Sequence, residues 1–122
     1  MRALVTGAGG FIGANLVRHL LAGGHEPVAV ARPGGDRWRL AELDGELPVV
    51  ELDLLDASAI DRIVRAQRPE VILHLATHGA YSWQSCFETM LAVNVRATDA
   101  LLQAARAIGA RLVSAGSSSE YG

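Results

Sequence analysis

Three glycines near the start of the chain have the spacing of an anion-binding loop. Gly7, Gly10 and Gly13 follow a short apolar run and open a helical pattern. The first would allow a tight turn, the second would let the backbone approach a diphosphate, and the third would let the helix pack close to the sheet. The N–H groups and positive dipole end of that helix would then face the anion. The spacing predicts a dinucleotide site, with an ordinary turn and helix cap as the alternative. A Walker-type phosphate loop is excluded because the chain has no lysine.

The elements that would position this loop are indicated by apolar runs that alternate with helical patterns. Runs typical of strands occur at 3–5, 28–31, 48–52, 70–75 and 111–115. Helical spacing covers 11–22, 56–67 and 88–108, with a short helix expected within 36–43. Because such alternation produces right-handed crossovers, we predict an α/β protein with a doubly wound parallel sheet, the Rossmann fold. Its strand order of 3-2-1-4-5 reverses beside the glycine loop, where ligands bind in sheets of this kind.

The same patterns predict helix ends and buried faces. Asp56 is the expected N-cap of the second helix and Gly109 the C-cap of the last. The predicted buried faces of these three helices comprise Phe11, Ile12, Leu16, Val17, Leu20, Leu21, Ile60, Ile63, Val64, Leu91, Val95, Leu101, Leu102, Ala105 and Ile108. The strands are continuous apolar runs, which predicts that both faces of the sheet are covered.

The composition is that of a globular protein without a strongly charged partner. The 122 residues suit one domain, half of them are hydrophobic and one-fifth are charged. A net charge of −2 gives no electrostatic argument for nucleic acid or an anionic membrane, and no apolar run reaches the ~20 residues that span a bilayer. The single cysteine, Cys86, fits a reducing cytoplasm, and no metal site is predicted.

Four motifs follow one another along the whole chain. They are T-G-A-G-G-F-I-G at 6–13, Asp53-Leu54, H-L-A at 74–76, and N-V-R-A-T at 94–98 with Ala97 in place of a usual glycine. Together they resemble the extended short-chain dehydrogenase/reductase family of nucleotide-sugar epimerases, dehydratases and 4-keto reductases. The resemblance implies a bound NAD or NADP. The cofactor-binding residues it implies, with Arg32 added as argued below, are Gly7, Gly10, Phe11, Ile12, Gly13, Arg32, Asp53, Leu54, Leu75, Ala76, Thr77 and Asn94.

Some of these motif residues also have a purely structural interpretation. Asp53 could cap a turn, although Asp56 is the better cap. His74 ends an apolar strand and is interpreted as a hydrogen-bonded core histidine rather than a catalytic one. Asn94 has a low helix propensity, which favours a buried hydrogen-bonding role.

The residue at the end of the second strand bears on the choice between NAD and NADP. Members of the family that bind NAD carry an acidic residue there, which bonds the ribose hydroxyls, whereas this strand ends at Arg32. An arginine suits a 2′-phosphate through charge-assisted hydrogen bonds, so NADP is favoured over NAD. Asp36 could still bind the ribose of NAD, while Arg37 and Arg39 either add positive charge or are solvated.

The resemblance also implies where the reaction would be catalysed. The family uses a Tyr-x-x-x-Lys pair and a Ser or Thr that polarises the reacting oxygen. Two alignments of G-S-S-S-E-Y-G, residues 116–122, place that hydroxyl at Ser117 or at Ser118. Tyr121 is not the tyrosine of the pair, which lies further along in the family, and Tyr81 has no lysine four residues later. The chain is therefore expected to lack the pair and the substrate domain, and to show no turnover alone.

These motifs lead us to expect the NAD(P)-binding portion of a nucleotide-sugar-modifying oxidoreductase, either an epimerase/dehydratase or a 4-keto-6-deoxy-sugar reductase. Most of the sugar contacts would come from outside this chain. The resemblance further implies a homodimer through the helical region 83–108, which would expose apolar surface in the isolated chain. A non-catalytic dinucleotide-sensing module of the same fold is the alternative, and the serine motif disfavours it.

Overall fold

The sheet is parallel throughout and has the predicted strand order. The computed structural model of the chain describes residues 1–79 and 81–121, with the backbone alone at 119 and 120. Its strands are β1 (Arg2–Thr6), β2 (Glu26–Ala31), β3 (Val49–Glu51), β4 (Val71–His74) and β5 (Arg111–Ser114). They pair in the order β3-β2-β1-β4-β5, and all four pairings are parallel. The doubly wound α/β fold is therefore confirmed.

The helices lie where the apolar spacing predicts them, with one interruption. They are α1 (Phe11–Ala22), α2 (Ala57–Gln67), α3 (Phe87–Leu91) and α4 (Ala97–Ile108), with 3₁₀ turns at Trp38–Leu43 and Ser118–Tyr121. A π-helical turn over Ala92–Arg96 joins α3 to α4, so the single helix predicted at 88–108 is divided into three parts. The predicted caps are confirmed: the Asp56 carboxylate accepts the Ala59 N–H at 3.0 Å, and Gly109 closes α4 with φ of 74°.

Alternation along β1 gives the sheet two apolar layers. Leu4 faces the cluster under α2 and α4, which includes Ile60 and Leu101. Val5 faces the opposite cluster under α1, which includes Val17. All five of these side chains have no accessible surface. The two layers hold the central strands rigidly, and therefore also fix the loops that leave their carboxyl ends.

Four apolar side chains that were predicted to be buried are exposed. Phe11 and Ile12 are 74% and 69% exposed, because the face of α1 that packs on the sheet begins one residue later, at Gly13. Val95 lies in the π turn, whose wider spacing rotates it off the buried stripe. Leu102 follows the buried Leu101 by one residue and so points about 100° away from it.

β5 also differs from the prediction that both faces of each strand are covered. Leu112 packs on the cluster under α4, but Val113 on the opposite face is 56% exposed. β5 is one of the two edge strands of the described sheet and packs on a helix through one face only. No helix in the described part of the chain is long and apolar enough to cross a membrane.

Candidate cofactor-binding site

The glycine loop joins β1 to α1 at the carboxyl edge of the sheet. Gly7 has a φ of 70°, in the left-handed region that favours glycine, so its predicted role in a tight turn is confirmed. A Cβ at Gly7 would lie 2.8 Å from the Ala76 nitrogen and from the Leu75 carbonyl carbon. The missing side chain thus lets the loop touch the main chain that continues from β4.

Gly13 lets the first turn of α1 close onto this loop. A Cβ at Gly13 would overlap the Gly7 carbonyl oxygen and come within 2.7 Å of the Ala8 Cα. The sequence predicts close packing of this helix against the sheet, whereas the three atoms nearest to such a Cβ belong to Gly7 and Ala8 of the loop. A Cβ at Gly10 would meet only the Gly7 oxygen, at 3.2 Å, so this position has the most open surroundings of the three.

The amino terminus of α1 offers donors to an anion. The helical hydrogen bonds begin with the Ala14 N–H, which donates to the Gly10 oxygen at 2.9 Å. The N–H groups of Phe11, Ile12 and Gly13 precede that bond, and the N-cap residue, Gly10, has no side chain to cap them. Such a terminus carries a partial positive charge and is suited to a phosphate group.

The loop after β2 folds onto the glycine loop. Arg32 is exposed and begins a turn that the Gly35 N–H closes onto the Arg32 oxygen at 3.0 Å. The Asp36 carboxylate accepts the Trp38 N–H at 3.0 Å and so supports the start of the 3₁₀ turn. Arg39 lies over the Trp38 ring, 4.3 Å from its centroid, and donates to the carbonyl oxygen of the glycine loop at residue 9, at 3.3 Å.

The contact that Arg39 makes with the glycine loop was not predicted. The two residues are 30 positions apart, and no local pattern signals a side-chain bond to a distant carbonyl. Arg39 is therefore not a fully solvated side chain, and its guanidinium adds positive charge beside the glycine loop. Its guanidinium is half-buried and joins the post-β2 loop to the glycine loop.

Asp53 and Leu54 follow β3. The Asp53 carboxylate accepts the Leu55 N–H at 2.9 Å, an Asx-type turn, while Asp56 is the helix cap. Asp53 is exposed, and its turn bond uses one carboxylate oxygen. Leu54 is partly buried against the core.

His74 is the hydrogen-bonded core histidine that the sequence predicts. Its side chain is 3% exposed and bonds Thr6 Oγ1 through Nδ1 at 2.6 Å and Thr98 Oγ1 through Nε2 at 3.0 Å. Burial lowers the pKa of His74 below its ordinary value of 6.5. Neither threonine was singled out from the sequence, because each is separated from His74 by at least 24 residues.

Asn94 is exposed, so the prediction of a buried side chain was wrong. Its hydrogen-bonding role is confirmed: Oδ1 accepts the His78 N–H at 2.8 Å, and Nδ2 donates to the His78 oxygen at 2.6 Å. The hydroxyl of Thr77 also donates to Oδ1, at 3.3 Å. The π turn carries Asn94 at the helix surface, where its amide contacts the loop after β4.

The serine motif follows β5, directly beside β4. The Ala115 N–H donates to the His74 oxygen at 3.0 Å and extends the pairing of the two strands past their assigned ends. Ser117 and Ser118 are both exposed, and Ser118 begins the last 3₁₀ turn. Gly122, which closes the motif, lies outside the described residues, as does Ala80 of the loop after β4.

The sequence of the chain matches the model of a known protein family. The model of the NAD dependent epimerase/dehydratase family matches residues 3–122. The chain belongs to that family. It is 38% identical over 117 residues to UDP-glucose 4-epimerase of Mycolicibacterium smegmatis, covering 93% of this chain and 37% of that protein. It is 34% identical over 115 residues to dTDP-glucose 4,6-dehydratase 1 of Escherichia coli, covering 87% and 31%.

Solved structures of the epimerase/dehydratase family have the same fold. The Bordetella bronchiseptica enzyme WbmG, crystallised with NAD and UDP, matches with a TM-score of 0.80 and 32% identity, over 93% of this chain and 36% of that one. The Thermus thermophilus UDP-glucose 4-epimerase in complex with NAD matches with a TM-score of 0.78 and 31% identity, over 92% and 36%. The chain therefore spans about a third of the length of these relatives.

The residues of this chain fit the dinucleotide that its family uses. A side chain at Gly10 would fill the space in front of the helix terminus, and the N–H groups there are not capped. The site lies at the switch point between β1 and β4, where dinucleotides bind in doubly wound sheets. Among the described residues, no cluster of three or more potential metal ligands occurs.

Proposed function

We propose that residues 1–122 form the NAD(P)-binding domain of an enzyme that modifies a nucleotide-bound sugar, as an epimerase/dehydratase or a 4-keto-6-deoxy-sugar reductase. The observation that carries the proposal is the glycine loop, which leaves an uncapped helix terminus open at the switch point of the sheet. The bound nicotinamide would supply hydride transfer. The chain's own residues would bind the cofactor, orient it and place a hydroxyl near the sugar.

Each group of residues then has a separate part in binding. The N–H groups at the start of α1 would hold the diphosphate, and Asp53 with Leu54 would line the adenine. Arg32 would bind the adenosine ribose or its 2′-phosphate. Leu75, Ala76, Thr77 and Asn94 would line the nicotinamide side. In support of these roles, all of these groups except Asn94 follow the carboxyl ends of neighbouring strands, and Asn94 is hydrogen-bonded to the loop after β4.

The preference for NADP over NAD depends on Arg32. Its guanidinium is exposed at the end of β2, while Asp36 lies four residues later and accepts the Trp38 N–H through one oxygen. An arginine can form charge-assisted hydrogen bonds with a 2′-phosphate. We therefore expect NADP⁺ to bind more tightly than NAD⁺.

Calorimetric titration of the chain with NADP⁺ and NAD⁺ tests the proposal. Arg32→Ala should weaken NADP⁺ binding by about 10-fold or more, since hydrogen bonds to charged groups contribute about 1.5–3 kcal/mol, and should leave NAD⁺ binding unchanged. Arg106→Ala is the matched control, because that exposed arginine lies in the last turn of α4. Tighter binding of NAD⁺ would reverse the assigned preference. Binding of neither cofactor by the folded chain would contradict the cofactor-domain proposal.

A serine after β5 would supply the hydroxyl that polarises the reacting oxygen of the sugar, either Ser117 or Ser118. The adjacency of β5 and β4 supports this, because it brings the serine motif beside the proposed nicotinamide side. The family's tyrosine requires a lysine that lowers its pKa, and this chain contains none. We therefore expect the chain alone to leave UDP-glucose and dTDP-glucose unconverted, which chromatographic analysis of the nucleotide sugars before and after incubation would show.

Self-association through the region 83–108 is a further part of the proposal. Phe87, Val95 and Leu102 are between 49% and 67% exposed along this segment, apolar surface that a second copy of the chain would cover. Light scattering should give a dimer mass for the chain, and Leu102→Glu should shift it towards the monomer. A monomeric wild-type chain would contradict the proposed self-association and leave the cofactor-binding proposal unaffected.

A further inference from the structure

The buried imidazole of His74 has a partner on each nitrogen. Thr6, the last residue of β1, bonds Nδ1, and Thr98 in the first turn of α4 bonds Nε2. Burial of a histidine is tolerated when both nitrogens are bonded, since an unpartnered buried polar atom is costly. The ring therefore joins the central strand of the sheet to the helix that follows the π turn.

The directions of these hydrogen bonds determine which nitrogen carries the proton. The Thr98 hydroxyl donates to the main-chain oxygen of Asn94 at 2.8 Å, so its oxygen can only accept from His74. Nε2 must then carry the proton, and Nδ1 accepts from the Thr6 hydroxyl. The Thr6 oxygen in turn accepts the Ala76 N–H at 3.3 Å, which completes the chain of bonds. The network assigns a neutral Nε2–H imidazole with every donor matched to an acceptor.

The network continues to the loop after β4 through the side chain of Asn94. Its amide bonds both the N–H and the carbonyl oxygen of His78, as a neighbouring strand would. The Asn94 main-chain oxygen is bonded by the Thr98 hydroxyl, while the Asn94 side chain bonds the loop. The position of residue 78 is thus linked to that of His74 through the hydrogen bonds of Thr98 and Asn94 and the covalent frame of Asn94.

The two ends of the network lie at two loops of the proposed cofactor site, the glycine loop and the loop after β4. Thr6 precedes Gly7, whose backbone touches Ala76, and Asn94 holds the loop that contains Thr77. We propose that His74, as the neutral Nε2–H tautomer, is a positioning residue that couples the glycine loop to the loop after β4, so that both are held in the geometry that binds the dinucleotide. This inference rests on the proposed cofactor function.

Thr98→Val tests the coupling, because it removes the hydroxyl at nearly constant volume and leaves Nε2–H without an acceptor. We expect the dissociation constant for the preferred dinucleotide to rise about 2- to 30-fold, the usual range for residues that couple two parts of a site. Thr98→Ser restores the hydroxyl and should restore the affinity. Thr89→Val is the matched control, since Thr89 lies in α3, outside this set of hydrogen bonds.

Nuclear magnetic resonance gives a readout that does not depend on binding. Imidazole ¹⁵N shifts of the wild-type chain should show His74 as the Nε2–H tautomer at pH 7, and Thr98→Val should shift the His78 amide resonance while Thr89→Val does not. An Nδ1–H tautomer, or a Thr98→Val variant that loses stability but keeps the affinity and the His78 resonance, would overturn the inference. If the wild-type chain binds no dinucleotide, the proposed function fails, and the tautomer and the His78 resonance still decide whether the network exists.

Discussion

Gly13→Ala is the substitution whose effect the structure defines most sharply. The added methyl group would overlap the Gly7 carbonyl oxygen and lie 2.7 Å from the Ala8 Cα, and both are main-chain atoms that no rotamer change can move. Gly7 itself has no room to shift towards β4, where it is already in contact with Ala76. We therefore expect the first turn of α1 and the glycine loop to separate.

The change in unfolding free energy caused by Gly13→Ala is the sum of two effects of opposite sign. Alanine stabilises a helix interior by about 1 kcal/mol relative to glycine, while overpacking a rigid site costs about 1–3 kcal/mol or more. Because the clash is with backbone, the upper part of that range applies, and the net loss should be about 1–2 kcal/mol. For a domain of this size, such a loss lowers the melting temperature by about 3–10 °C. Dinucleotide affinity should fall at least tenfold, because the N–H groups at the helix terminus move with the turn.

Equilibrium urea unfolding, followed by circular dichroism, and calorimetric titration measure these two effects separately. Gly24→Ala is the control at the opposite end of α1: its φ of 73° strains an alanine, but nothing lies within 4 Å of the new methyl group. It should lose about 1–2 kcal/mol from the left-handed conformation and keep full affinity. A Gly13→Ala chain that is more stable than wild type by the propensity gain, with unchanged affinity, would refute the reasoning.

Two further predictions concern the stability of the fold. Leu101→Ala should cost about 2–5 kcal/mol in urea unfolding, whereas Leu102→Ala, the neighbouring residue that is 49% exposed, should cost well under half as much. The unfolding free energy should also fall as the pH is lowered below 6.5, because the pKa of His74 is lowered in the folded chain and the unfolded chain then binds the extra proton. The pKa of Asp56 is lowered mainly by the hydrogen bond from the Ala59 N–H, so its stabilisation is complete above 3.8 and is lost as the pH falls below that value. Denaturant titrations between pH 8 and pH 2.5 would show whether stability falls in both pH ranges.

The sheet was predictable because its signals are local. Each strand is a short apolar run of its own, and a parallel α/β chain has few ways to connect such runs. The cap at Asp56 and the turn at Gly7 also depend on neighbouring residues only. Burial on α1 and α4 was predicted less well, because periodicity alone does not show where a helix passes beyond the sheet or where a π turn rotates its face.

The parts of the site that sequence missed are contacts across long separations. Arg39 reaches the glycine loop over 30 residues, and Thr6 bonds His74 over 68. Each such bond depends on the register between strands, which no short pattern encodes. Asn94 is an intermediate case: its low helix propensity indicated a hydrogen-bonding role, but not that the π turn would leave it at the surface.

The three glycines of the opening motif do not carry equal weight as evidence for a ligand. Gly7 and Gly13 are required by the chain's own backbone, because a side chain at either would collide with main-chain atoms in the absence of any cofactor. Gly10 is different: its φ of −75° is open to any residue, and an added Cβ would meet only the Gly7 oxygen at 3.2 Å. Dinucleotide binding is therefore indicated by Gly10 and by the N–H groups that follow it at the start of α1.

Gly10→Ala tests whether glycine is needed at this position for ligand binding rather than for folding. We expect a loss of about 1 kcal/mol or less in unfolding free energy, the usual cost of alanine at a helix N-cap, because the Gly7 oxygen need give by only a few tenths of an ångström. Dinucleotide affinity should fall at least tenfold, because the methyl group occupies the approach to the helix terminus. If Gly10→Ala bound the cofactor as tightly as wild type, the triplet would be a folding signature, and the diphosphate would have to be held elsewhere along the carboxyl edge of the sheet.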